Sequence, residues 1–314
     1  MRPSFISNNV DALCMSDSAL EPILRISTPL LLAGLGEMIL ERSGVINIGI
    51  EGVMLCGAFA GFVAGWLSGS PLAGAAAGML AGAALMFLFA LFALKFSTDQ
   101  IVTGMALNLA ALGLTGTLNQ ALRTAHPMES LTSATFQPLA ASLHDVPLLG
   151  PLLFSQTIVT WAALALIPLI WFYVEKSERG LELRAVGENP AAAEASGVNV
   201  DRCRWKACIA AGILGGLGGA FLTISQTASF ADGCTRGRGF VALAAVVLGR
   251  YGSFGTAAAC LFFGAAFYAR DAFPNLNLPT NLVELLPYAL TLVALCVRFS
   301  TSAAPAALGK PYVR

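Results

Sequence analysis

The chain has 314 residues, 56% of them hydrophobic and 11% charged, with a mean hydropathy of +0.74 and a formal net charge of zero. A soluble domain carries about 25% charged residues, so this chain lacks the polar surface to cover a soluble globule and reads as an integral membrane protein. The neutral balance gives no sign of a nucleic-acid partner or a polybasic membrane patch.

A spanning helix needs about 20 mainly apolar residues. Such stretches fall at 23–40, 44–66, 71–96, 101–122, 155–174, 207–227, 239–249, 254–269 and 282–299. The expected fold is therefore all-α, a polytopic bundle of nine transmembrane helices, some broken or re-entrant. The polar residues 1–22 hold no apolar core of signal-peptide type.

The second span opens with "SGVINIGIEG", where Gly44, Gly49 and Gly52 accompany Asn47 and Glu51. An acid at a membrane centre costs about 2.5–3.5 kcal/mol on insertion scales. Glu51 lies seven residues past Gly44, roughly 10 Å deep at 1.5 Å per helical residue. Two readings compete. The carboxylate accepts backbone N–H groups freed where glycines break the helix, or it contacts hydroxyls or N–H groups of a solute.

The third span spaces Gly74, Gly78 and Gly82 by four, and later Gly212 and Gly216, and Gly215 and Gly219, repeat the spacing. Small residues so placed let helix backbones approach closely in lipid, so we read them as packing. The fourth span carries Asn108 at its middle and Asn119 near its end. The connection 123–154 is rich in Pro, Ser and Thr and is expected to be only partly ordered; its His126 and His144 read as solvated.

The connection 175–206 holds Lys176, Arg179, Arg184, Arg202, Arg204 and Lys206, the densest basic stretch, which the positive-inside rule places in the cytoplasm. Counting outward puts the N-terminus outside and the C-terminus inside. It also puts Arg236 and Arg238 at the outer face, facing a partner's acids or solvent. Within the loop, Asn189 is a good N-cap, Pro190 suits the first turn, and Gly197 is a natural stop. A two-turn helix over 190–196 follows, too short to persist without a docking surface.

The chain thus divides into a first half 23–122, an outer loop 123–154, a linking helix 155–174, the basic loop 175–206, a second half 207–299 and a tail 300–314. The halves enter the membrane from opposite sides, the inverted layout of many transporters. Each has a glycine-rich start on its second span, "SGVINIGIEG" and "GRGFVALAAVVLG". Asn47, Glu51, Asn108, Ser225, Gln226 and Phe240 are candidate path residues for a polar, neutral solute, with Phe230 and Phe240 flanking the second break. The seven cysteines show no metal spacing and read as small buried hydrophobes. No phosphate-binding loop pattern is present, so any ATP must be bound by another chain.

Four stretches in register, "TPLLLAGLGEMILERSGVINIGIEGVMLCGAF", "DQIVTGMALNLAALGLTG", "GLELRAVGENPAAAEASGVNV" and "SQTASFADGCTRGRGFVALAAVVLGRY", resemble the permease subunits of bacterial ABC importers of the ribose and nucleoside type. The likeness is nearest to the shorter permease of purine-nucleoside systems. It implies a second, homologous and longer permease or a second copy of this chain, and an ATP-binding cassette ATPase that carries ATP-Mg. It further implies an extracytoplasmic substrate-binding protein, and a place in a bacterial inner membrane. It also implies that Arg184, Gly187, Asn189, Pro190, Ala193 and Gly197 belong to the segment that presses on the ATPase. Purine nucleosides come first as cargo, with simple sugars and riboflavin as alternatives within the family. A proton-coupled transporter using Glu51 is the alternative from another class.

Overall fold

A computed structural model describes residues 5–126, 131–137, 156–272 and 304–312, and of 5–19 and 270–272 the backbone only. Ten α-helices follow in order: α1 Phe5–Arg42, α2 Ile50–Ser68, α3 Pro71–Ala90, α4 Gln100–Ala125, α5 Ile158–Lys176, α6 Glu178–Glu188, α7 Pro190–Ala195, α8 Val200–Phe221, α9 Arg238–Leu248 and α10 Ser253–Ala272. Wider π-helical turns extend α3 over Leu91–Lys95 and α8 over Leu222–Thr227. Among the described residues six helices are long and apolar enough to cross a membrane, and the pieces Arg238–Leu248 and Ser253–Ala269 are apolar but shorter. The stretch 282–299 lies outside the described residues.

Several boundaries differ from expectation for local reasons. The first helix begins at Phe5 rather than residue 23, since 5–21 contain neither Gly nor Pro to stop it. The second span is not helical from Gly44: residues 43–49 are irregular and α2 starts at Ile50. The basic loop holds two helices, not one, and surrenders its end to α8. There the Asn199 side chain accepts the Arg202 N–H at 2.9 Å and starts the helix at Val200, seven residues before the apolar run.

The bundle is built on α2, α3 and α8, which meet through glycines. A Cβ added at Gly82 would stand 2.7 Å from the Gly216 Cα, and one at Gly212 would stand 2.6 Å from the Gly82 carbonyl oxygen. Neither fits beside backbone, so here the small-residue spacing does set helix contact. α1 lies across α8, its Leu30, Leu31, Leu35, Met38 and Leu40 within the main core. By contrast α4 presents Met105, Leu109, Leu112 and Leu114 outward. Cys208 and Cys260 are buried, and Cys56, Cys203, Cys208, Cys234 and Cys260 are all free thiols.

Residues 131–137 of the outer loop are packed, not loose. Ser133 N–H donates to the Ala228 carbonyl at 2.8 Å and Phe136 N–H to the Ile224 carbonyl at 3.1 Å. The His126 ring meets Trp66 edge-on at 5.1 Å rather than standing free in solvent. His144 lies outside the described residues.

Candidate functional site

Two interruptions define the site. The first ends α1 where Gly44 turns left-handed at φ +83°, and it leaves the N–H groups of Ile46, Asn47 and Gly49 to partners other than a helix carbonyl. Side chains supply them. Asn47 Oδ1 accepts the Gly49 N–H at 2.8 Å, Glu37 Oε1 accepts the Asn47 N–H at 3.1 Å, and Gln100 Oε1 accepts the Ile46 N–H at 2.9 Å. Asn108 on α4 does double duty: its Oδ1 accepts the Gly52 N–H at 2.6 Å while its Nδ2 donates to the Ile48 carbonyl at 2.8 Å. Unmet backbone groups in a bilayer cost several kcal/mol each, which is the physical reason for polar side chains at these depths. Asn47 is fully buried.

The second interruption runs from Ala228 to Gly237. Its chain reverses through left-handed residues, among them Gly233, Arg236 and Gly237. α9 then begins with its first N–H groups bare, since Gly237 offers no capping side chain. Glu51 supplies the cap from the other half. Its Oε1 accepts Thr235 Oγ1–H at 2.6 Å and Gly237 N–H at 2.7 Å, and its Oε2 accepts Gly239 N–H at 2.7 Å. A Cβ at Gly239 would come within 2.7 Å of the Glu51 Cα, so the first turns of α2 and α9 abut.

Each helix start carries about +0.5 elementary charge. Two such ends against one carboxylate approach electrical neutrality, which answers how an acid is tolerated at this depth. The glycines of Glu51's own half, the donors expected from its sequence, do not bond it. Its donors lie instead in the opposite half.

The remaining candidates divide. Pro29 has no N–H to give the Arg25 carbonyl one turn earlier, and Gln226 Nε2 fills that place at 2.9 Å. Gln226 Oε1 in turn accepts from Arg238 at 3.2 Å. Arg238 is half-buried at the second break and lies over the Phe267 ring, 5.8 Å from its centroid. Ser225 is buried, and its carbonyl accepts from Arg25. Phe240 is half-exposed on α9, whereas Phe230 is fully buried with Phe59 and Phe62.

Two openings adjoin the second break. One, of about 210 Å³, is lined by Gln226, Ser229, Asp232, Arg236 and Arg238 among others. The other, of about 590 Å³, is an open groove along α4 that includes Gly116, Asn119, Gln120, Arg123 and Asp232. Asn119 Nδ2 donates to Asp232 at 2.8 Å and Arg123 donates to the Phe230 carbonyl at 2.9 Å. Of the polar residues read from the sequence as path candidates, Gln226 lines the first opening and Asn119 the second. Asp232 and Arg123 were not among them.

At the opposite, basic end the expected short helix is present. Asn189 Oδ1 accepts the Ala192 N–H at 3.1 Å, Pro190 opens α7, and Gly197 at φ +90° closes it. Ala193 is buried against Val186 and Val200, while Ala191, Ala192, Ala195 and Ser196 face outward. Arg184 and Arg42 both pair with Glu175, at 3.3 and 3.7 Å. A Cβ at Gly187 would stand 3.3 Å from the Gly44 N–H nitrogen, so α6 ends directly on the first break. Buried Arg204 donates to the Ser43 carbonyl at 3.3 Å, placing a cation at the carbonyl end of α1.

Among the described residues six long apolar helices, one of them, α2, meeting the short α9 start to start, make this a multi-pass membrane protein of transporter architecture. The chain belongs to the family described as branched-chain amino acid transport system, permease component, whose profile matches residues 19–295. It is 35% identical over 300 residues to the guanosine ABC transporter permease protein NupQ of Bacillus subtilis, covering 92% of this chain and 94% of that one. It is 31% identical over 299 residues to the nucleoside ABC transporter permease protein NupC of Lactococcus lactis subsp. cremoris, again covering 92% and 94%. A further guanosine permease of Bacillus subtilis, NupP, is 27% identical over 281 residues, 84% of this chain and 77% of that one. A solved ABC transporter in an inward-facing conformation shares the fold at a TM-score of 0.52 and 18% identity, over 89% of this chain and 85% of that chain.

Proposed function

We propose that this chain is one of two permease subunits of an ATP-driven importer in a bacterial inner membrane, moving a nucleoside or related ribosyl solute inward by alternating access. The observation that carries the reading is the near full-length likeness to nucleoside permeases. That two guanosine permeases of one organism both match this chain supports a homologous second permease as partner. The outward-facing stripe of α4, with its groove at Asn119 and Asp232, is the surface we assign to that partner, so that the path forms between the two. ATP-Mg binds and is hydrolysed on a separate cassette subunit, which docks on α7 at the basic, cytoplasmic end. An extracytoplasmic binding protein delivers the solute to the other end.

The test is reconstitution of the chain with the neighbouring permease, ATPase and binding protein in liposomes. Uptake of radiolabelled guanosine should require ATP inside and all four components, with glucose and riboflavin as competitors to rank the cargo. Uptake by this chain alone, abolished by an uncoupler and indifferent to ATP, would establish the proton-coupled reading instead.

A further inference from the structure

Residues 304–312 do not hang from the bundle. They cross the basic end and bond to three separate elements. Ala307 N–H donates to the Gly187 carbonyl at 3.0 Å, where α6 ends, and Ala306 N–H donates to Glu188 Oε2 at 3.2 Å. Gly309 N–H donates to the Gly44 carbonyl at 3.1 Å, at the first break. The Tyr312 hydroxyl donates to the Glu194 carboxylate on α7. Ala307 is buried, and Gly309 takes φ +74°, a turn that brings its N–H round to Gly44. Within nine residues the segment therefore touches the short helix, the helix before it and the broken span.

We infer that segment 304–312 is a tie that carries the position of α7 to the first break, and through it to the start of α2. Beyond Gly44 the route is continuous. Asn47 turns the chain onto Gly49, α2 starts, and Glu51 holds the start of α9. A displacement of α7 thus reaches the starts of both α2 and α9 through a chain of hydrogen bonds, side-chain at Tyr312, Asn47 and Glu51 and main-chain at Ala307 and Gly309. Tyr312, Glu188 and Gly309 are positioning residues in this scheme, since none touches solute. The inference rests on α7 being the ATPase contact only for its last step; that the segment holds the first break stands on the structure alone.

Two measurements separate those parts. The first is amide hydrogen exchange on the purified chain in nanodiscs, with no other subunit. In the double variant Tyr312→Phe, Glu188→Ala, the amides of Ile46, Asn47 and Gly49 should exchange about tenfold faster, while α3 and α8 keep their protection. Tyr312→Lys, which keeps a donor for Glu194, should restore slow exchange when combined with native Glu188. Unchanged exchange at 46–49 in a variant whose Ala306, Ala307 and Gly309 amides have become unprotected would overturn the tie. General loss of protection in α3 and α8 would also count against it, since that shows a structural support of the whole bundle.

The second measurement is solute carried per ATP hydrolysed in the reconstituted importer. The double variant should retain the ATPase and hydrolyse ATP yet carry several-fold less solute per ATP, with Tyr312→Lys near the native ratio. A native ratio despite loosened 46–49 amides would overturn the transmitting role. Failure of the native chain to retain an ATPase at all is a different result: it removes the importer reading while the exchange experiment still decides the tie.

Discussion

Replacing Glu51 by glutamine tests the central joint. Three donors converge on the carboxylate, two on Oε1 and one on Oε2. An amide has one acceptor oxygen. In its better orientation that oxygen keeps Thr235 and Gly237, and the amide nitrogen then opposes the Gly239 N–H. One buried donor is left unmet, at about 1–3 kcal/mol. The charge is lost as well. At about 4 Å and an effective dielectric of about 20, each half-charge of a helix start attracts a carboxylate by about 2 kcal/mol, or about 4 for both. Against this, a neutral side chain avoids the insertion cost of an acid, at most about 3 kcal/mol. The net is a loss of about 2–4 kcal/mol, which for a chain of this size corresponds to a fall of about 3–6 °C in apparent melting temperature. Thermal unfolding in detergent, followed by exposure of buried cysteines to a maleimide dye, measures it. Thr235→Val, which removes one donor and leaves the acceptor whole, should cost less than half as much. Equal melting of Glu51→Gln, Thr235→Val and the native chain, with Gly239 still protected from exchange, would refute the capping argument.

Asn108→Ala should strand the Gly52 N–H and the Ile48 carbonyl together and lower stability by about 2–4 kcal/mol, read by the same dye assay; a loss under 1 kcal/mol would show that water replaces the amide. Gly216→Val pushes a branched side chain onto the backbone of Gly78 and Gly82 and should abolish folded, membrane-inserted protein, seen as aggregation in size-exclusion chromatography. Asn189→Ala with Pro190→Gly removes the cap and the preset first turn of α7, worth about 1–2 kcal/mol of local stability. It should leave bundle melting unchanged and lower ATP-driven uptake at least severalfold in liposomes.

What could be read without coordinates follows the range of each interaction. α7 was legible because its cap, its proline and its stop lie within nine residues, 189–197. The glycine spacing was legible for the same reason, and the family likeness supplied the overall fold. Glu51's depth could not be read from the helix rise, since residues 43–49 are not helical, and its donors are 184 to 188 residues away, where no local pattern points to them. Asn108 had the same difficulty, with partners 56 and 60 residues distant. α6 was missed although Ser177 stands as its cap, accepting from Gly180 N–H at 3.0 Å, because its mixed charges hide a helix that leans on α5. Glu37 was overlooked inside the first span's own limits; a second acid within an apolar run was the available signal.

The glycine contacts among α2, α3 and α8 have a consequence for motion. Where side chains interdigitate, helices slide by exchanging rotamers, and the interface yields in small steps. Backbone laid on backbone has no rotamers to exchange. The three helices form a stator, a block that can turn as a whole but not shear internally. Whatever alternation of access the molecule performs must be borne by the elements around that block: α4 with its outward stripe, α9 pivoting on the Glu51 joint, and the irregular residues 43–49. The smallest residues in the chain thereby decide which parts of it are permitted to move.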